Sequence, residues 1–189
     1  MNAAAVCDLC AAEIPEDHRH VADLHSRRLA CSCRPCAILF EASRGGRWRT
    51  VPERVARCPE VPLGDDAWTA LGIPVDLAFF LRTGEDDRIV GFYPGPSGAT
   101  EAALEGGSGL DGLHAALRGI EPDVEALLVN RSRGARECWI VPVDRCYALV
   151  GLIRSHWTGL GGGSEVWTRI GAFFEGLEAR TRVGAREEA

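Results

Sequence analysis

The sequence predicts an α+β fold: a small N-terminal metal module of zinc-ribbon or rubredoxin type, followed by an antiparallel or mixed sheet covered by helices. Three observations predict it. Two Cys-x-x-Cys pairs, Cys7/Cys10 and Cys33/Cys36, bracket a pair of strand-like segments near the N-terminus. Beyond residue 65, runs rich in β-branched and aromatic residues occur in twos, joined by short turn-rich segments as in hairpins. Two C-terminal segments place apolar residues at helical spacing.

The first module extends over residues 1–57. Residues 18–25 (HRHVADLH) and 27–33 (RRLACSC) alternate polar and apolar positions, the mark of half-buried strands. Residues 37–43 (AILFEAS) suit a short helix stopped by Gly45-Gly46, and 47–52 (RWRTVP) resume an extended path. Residues 58–64 contain two prolines and a glycine without periodicity, which predicts a linker.

The second module covers residues 65–182. Asp65 or Asp66 is expected to cap a helix over 67–72. Residues 73–82 and 88–94 read as strands across the turn 83–87. A helix is expected from Pro96–Ala99 to Leu104, then a glycine-rich break, then a helix over 113–120. Residues 123–130 and 137–143 make a second hairpin. Cys146, Leu149, Val150, Ile153 and Trp157 share one helical face, with Asp144 as the expected N-cap. Val166, Trp167, Ile170, Phe173, Phe174 and Leu177 share another, and Gly161-Gly162-Gly163 separate the two helices. Residues 183–189 form a polar tail. Hairpins mixed with helices favour a sheet covered on one side.

Tetrahedral zinc takes four soft ligands, and two Cys-x-x-Cys pairs supply them, each biting the ion from a tight turn. The intervening residues suffice for a hairpin that brings Cys7, Cys10, Cys33 and Cys36 together. Cys31 lies two residues before Cys33, so on a strand both thiols face the same way, and Cys31 is an alternative ligand. Rubredoxin-type iron turns usually carry glycine after the second cysteine. Ala11 and Ala37 stand there, which favours one zinc ion, with one iron ion as the alternative. A redox dithiol would open a helix in a thioredoxin-like order, which the pattern does not display. His18 and His20 share a strand face beside the site, as groups that orient ligands or as a solvated edge.

The net charge of −6 argues against attraction of the whole molecule to nucleic acid or anionic membrane. Residues 31–58, however, hold six arginines against Glu41 and Glu53, a local balance of +4. Arg44, Arg47, Trp48 and Arg49 are therefore candidates for docking on a partner protein, or for gripping a nucleic-acid strand by phosphate contacts and stacking. Cys58 reads as a free thiol, and Cys138 and Cys146 as core. His156 is ten residues beyond Cys146, about 15 Å along a helix, so no catalytic dyad forms. P-loop, dinucleotide, G-x-S-x-G and H-E-x-x-H motifs are absent, and an enzyme is not expected. No apolar run approaches the roughly 20 residues needed to cross a bilayer. The N-terminal residues lack secretory-signal character, so a reducing cytoplasmic setting is expected.

The segments CDLC, HRHVADL, LACSCRPCAILF, IPVDLAFF, FYPGPSGATE, EPDVEALLVNR, IVPVDRCYALVGLIR and SEVWTRIGAFFE, spanning roughly residues 7–180, resemble an uncharacterised actinobacterial family. Its genes neighbour those of a high-affinity, oxygen-tolerant nickel–iron hydrogenase. The resemblance implies an accessory role, with a hydrogenase subunit or maturation factor as partner. It also implies metal binding by Cys7, Cys10, Cys31, Cys33 and Cys36, and it transfers no catalytic residue. Three readings follow: a zinc-bound protein acting by partner binding, a rubredoxin-like electron carrier, and a nucleic-acid-binding ribbon.

Overall fold

The computed structural model describes residues 5–41, 46–58, 63–95, 97–104 and 108–187. The chain divides into two compact units, Met1–Pro52 and Glu53–Ala189. The fold is α+β, and every strand pairing in it is antiparallel.

In the first unit, β1 (Arg19–Asp23) and β2 (Arg28–Ser32) form a hairpin that sets His20 opposite Cys31 and Val21 opposite Ala30. β3 (Trp48–Thr50) joins the other edge of β1. Asp23 builds the hairpin turn. Its carboxylate accepts the His25 and Ser26 N–H groups and the Ser26 hydroxyl, and a two-pronged contact from Arg47 at 2.6 and 2.9 Å. The helix α1 (Arg34–Glu41) starts three residues before the expected position, since Pro35 is tolerated in a first turn where its missing N–H has no partner to lose. The Thr50 hydroxyl donates to the Ala37 carbonyl and ties β3 to α1. Among the described residues the buried apolar side chains are few and none is aromatic: Cys7, Ile14, Val21, Ala22, Ala30, Ala37 and Val51. A core this slight is of the kind that small units commonly supplement with a disulfide or a metal.

The second unit runs β4 (Ala56–Arg57), α2 (Asp65–Ala70), β5 (Leu77–Arg82), β6 (Ile89–Gly95), β7 (Gly98–Ala102), α3 (Ser108–Leu117), β8 (Glu125–Asn130), β9 (Glu137–Pro142), α4 (Val143–His156) and α5 (Gly163–Glu187). Its sheet has the order β4-β9-β8-β5-β6-β7. β8 is buried at every residue and β5 at all but its last, the pattern of strands covered on both faces. On one face Ala78, Phe80, Leu127, Val129 and Cys138 pack with Trp68, Leu113 and Leu117 of α2 and α3. On the other, Phe79 stacks on Phe92 at 5.2 Å and meets Tyr147 of α4 edge-on. The expected one-sided cover is thus corrected: α2 and α3 lie over one face, α4 over the opposite one.

Four further expectations change. The division falls at Pro52/Glu53, ahead of the expected linker at 58–64, because Ala56 and Arg57 pair with Ile140 and Trp139 of β9. Arg54 also grips the buried Glu125 carboxylate through two 2.9 Å bonds. Residues 59–62 of that linker lie outside the described residues. The helix expected from Pro96–Ala99 to Leu104 gives way to β7, since Gly95 pairs with Gly98 and Tyr93 with Thr100 in an antiparallel hairpin; Pro96 lies outside the described residues. Gly64 occupies the N-cap of α2 and Pro142 that of α4, neither with a side-chain cap bond. Asp65, Asp66 and Asp144 lie in the first turns, where their charges complement the helix dipole. Finally, α5 continues to Glu187, through most of the expected tail. Among the described residues no helix is long and apolar enough to cross a membrane.

Candidate metal centre

Residues 7–12 reverse the chain. The Cys7 N–H donates to the Ala12 carbonyl and the Ala11 N–H to the Cys7 carbonyl, both at 2.8 Å. To close the turn Ala11 adopts φ of 61°, the left-handed region that normally favours glycine. Asp8 fastens the turn to the end of β2. Its N–H donates to the Cys31 carbonyl at 2.8 Å, and its carboxylate accepts the Cys31 N–H at 2.7 Å. Cys33 immediately precedes α1 and Cys36 sits in that helix's first turn. The second pair therefore opens a helix rather than a second β-turn, and unpaired helix N–H groups there favour thiolates. The setting is not thioredoxin-like, since the adjoining strands have the antiparallel order β2-β1-β3.

The Sγ atoms of Cys7, Cys10, Cys33 and Cys36 all lie within 4.8 Å of one another. Those of Cys10 and Cys33 are 3.6 Å apart. A tetrahedron with zinc–sulfur bonds of about 2.3 Å has edges of about 3.8 Å, so the quartet fits one ion with little adjustment. Cys33, not Cys31, completes it.

Electrostatics agree with the geometry. Burial opposes ionisation of Cys7, yet N–H groups of Cys33, Leu9 and Cys10 aimed at its sulfur prevail and lower the thiol to about 6. Cys36, crowded by the Cys33 and Cys10 sulfurs, is pushed up to about 12. The Ala12 N–H and Cys36 draw Cys10 down, but the Cys33 and Cys7 sulfurs and burial outweigh them and raise it. Four thiolates this close ionise together only around a cation.

Cys31 belongs elsewhere. Its sulfur groups with the ring nitrogens of His18 and His20, again within 4.8 Å. The two imidazoles sit 4.8 Å apart, ring centre to ring centre.

A profile described as a family of unknown function, DUF5947, matches residues 6–181. The chain belongs to the DUF5947 family. No curated protein and no solved structure matches it. The matched stretch of this DUF5947 chain includes all of the quartet cysteines and elements of both units.

Three of the four candidate docking residues fall among the described residues. Arg47 holds Asp23 and also lies over the Trp48 ring at 5.4 Å. Trp48 packs against Phe40, 6.4 Å between centres. Arg49 is a half-buried residue of β3, and Arg44 lies outside the described residues. Cys58 is not an isolated thiol. Its N–H donates to the Cys138 carbonyl at 2.7 Å, and hydrogen bonding between the two thiols lowers Cys58 and raises Cys138. Cys146 is fully buried in α4, and burial raises its thiol. His156 meets the Leu152 carbonyl through Nδ1 at 2.9 Å, a helix-end contact.

One feature of the DUF5947 chain escapes sequence reasoning. In the second unit a cavity of about 740 Å³ is lined by residues including Val75, Pro94, Arg133, Ile153, Trp157 and Trp167. The two indoles are 5.9 Å apart, and the Arg133 guanidinium lies 4.5 Å from the centre of the Trp167 ring. The apolar stripes assign both tryptophans to the core, whereas Trp157 is 43 % exposed. The available signal is positional: a large aromatic on each side of a glycine run that separates two helices.

Proposed function

We propose that this DUF5947 protein is a zinc-binding accessory protein of a nickel–iron hydrogenase system, acting by binding a hydrogenase subunit or maturation factor rather than by catalysis. The observation that carries the metal-binding part is the convergence of four cysteine sulfurs within 4.8 Å. A complete four-thiolate shell leaves no open position, which is the character of a structural zinc site. Zinc is favoured further because Cys33 and Cys36 flank a helix start, with Ala37 buried and its N–H on the Cys33 carbonyl at 3.0 Å. The reduced cytoplasm suits such a thiol set. The hydrogenase role rests on the sequence resemblance. The test is elemental analysis of full-length protein purified without oxygen, together with co-purification against the hydrogenase subunits. One zinc per chain and a complex with a hydrogenase component support the proposal; a metal-free folded chain, or no complex with any component, defeats the corresponding half.

A second reading, a rubredoxin-like iron electron carrier, is favoured by the turn at Cys7–Cys10. Ala11 takes the backbone that glycine would, so its side chain is no barrier to an iron-type turn. N–H groups aimed at the Cys7 sulfur would tune an iron potential, and the exposed Cys10 would offer an electron route. Anaerobic reconstitution with ferrous iron decides it: a reversible visible redox spectrum supports the carrier, and failure to retain iron removes it.

A further inference from the structure

We infer that His18, His20 and Cys31 form a second transition-metal site, separate from the cysteine quartet, which holds a borderline ion of the zinc class through two imidazoles and one thiolate and leaves a fourth position open. Strand register assembles it. His20 stands directly opposite Cys31 in the β1–β2 ladder, and His18, just ahead of β1, brings its ring to 4.8 Å from that of His20, centre to centre. Opposed residues on such a ladder have Cβ atoms about 4.5–5.5 Å apart, the right reach for an imidazole and a thiol to share one ion. All three ligand atoms indeed lie within 4.8 Å of one another.

His18 supplies the independent observation. Its Nδ1 lies 2.9 Å from the Pro15 carbonyl and 3.0 Å from the Glu16 carbonyl. Two acceptors on one nitrogen require that nitrogen to carry the proton, so the neutral ring presents a bare lone pair at Nε2. That Nε2 is shielded from solvent and has no hydrogen-bond partner. A solvated strand edge would leave this lone pair in water; a buried unpaired acceptor is costly and calls for a partner. Imidazoles that bind metals characteristically have the other ring nitrogen donating to a carbonyl or carboxylate, the arrangement of His18. Cys31 is held as firmly, since Asp8 engages both its N–H and its carbonyl.

The donor set selects the ion. Two nitrogens and a sulfur exclude magnesium and calcium, which demand oxygen, and suit zinc or copper. Three protein ligands with an open fourth position is the arrangement through which zinc holds water or a substrate, unlike the closed quartet. All three residues are half-buried, so an ion has access without full hydration.

The test uses the full chain, stripped of metal, kept reduced and titrated with cobalt(II) as the spectroscopic probe. Two equivalents are expected per chain: one with a tetrathiolate spectrum, one with mixed nitrogen–sulfur bands. Cys31→Ser and His20→Ala should each lower the stoichiometry from two to one while the tetrathiolate spectrum persists, which also reports that the unit is folded. Binding of a single equivalent by the unaltered chain overturns the site, and so does retention of two by both variants. Long-range proton–nitrogen spectra of the unaltered, zinc-titrated chain need no variant. A shift of the His18 Nε2 resonance with the second equivalent supports the site; an unchanged resonance refutes it.

Discussion

Ala11 carries a left-handed backbone in a turn where the absent methyl of glycine would remove strain. That conformation costs an L-residue roughly 1–2 kcal/mol, and the greater freedom of unfolded glycine offsets roughly 0.5–1 of it. Ala11→Gly should therefore stabilise the metal-loaded first unit by about 0.5–1 kcal/mol, read from its thermal unfolding. Cys36→Ser removes a proposed ligand rather than a support. Its zinc affinity, measured against a chromophoric chelator, should fall beyond the roughly 10–100-fold typical of changes around a metal's ligands. Cys31→Ser should leave quartet affinity within that range. At Asp23, the Arg47 guanidinium holds the carboxyl well below the ordinary carboxylate range against the opposing effect of burial, helped by Ser26 and the His25 N–H. A depressed native pKa contributes stability above the unfolded value of about 3.9, and that stability is lost as pH falls through the lower native value. Carboxyl-carbon NMR should find Asp23 ionised down to acid unfolding of the unit, and Arg47→Ala should move its midpoint up toward 3.9. A normal midpoint in the unaltered chain would contradict the pairing of the buried Asp23 carboxylate with Arg47.

Among elements, the central strands carry the sharpest test. Phe79 and Phe80 are adjacent, buried to 2 % and 0 % exposure, and point to opposite faces of β5. With helices on both faces, Phe79→Ala and Phe80→Ala should each destabilise the second unit by about 3–5 kcal/mol in denaturant unfolding. If one of the two is nearly neutral, only one face is covered. Sequence patterning located β5, β6, β8 and β9, because their aromatic and β-branched runs are long. It misread residues 98–102, where short, helix-compatible residues pair with β6, since a strand of that kind is stabilised by its neighbour rather than by its own propensity. It also started α1 late, because proline reads as a breaker unless it is known to stand in a first turn.

At the scale of the molecule, division at Pro52/Glu53 separates a unit with a slight apolar core from one with a large core. Chelation of the metal should abolish the ordered state of the first unit, since structural zinc can supply about 10–16 kcal/mol of apparent binding free energy to such modules. The unfolding transition of the second unit should remain. Scanning calorimetry with and without chelator measures both, and loss of both transitions together would show that the units do not fold independently. The sequence by itself determined that two Cys-x-x-Cys pairs supply the candidate donors, because Cys-x-x-Cys bite is local geometry, though not that the second pair opens a helix. It likewise determined the α+β class, because apolar periodicity is written along the chain. Only the tertiary structure decided that Cys33 joins the quartet while Cys31 faces two histidines, and that helices cover both faces of the sheet. Strand register and layer packing join residues far apart in the chain, and no local pattern encodes which partner a side chain will meet.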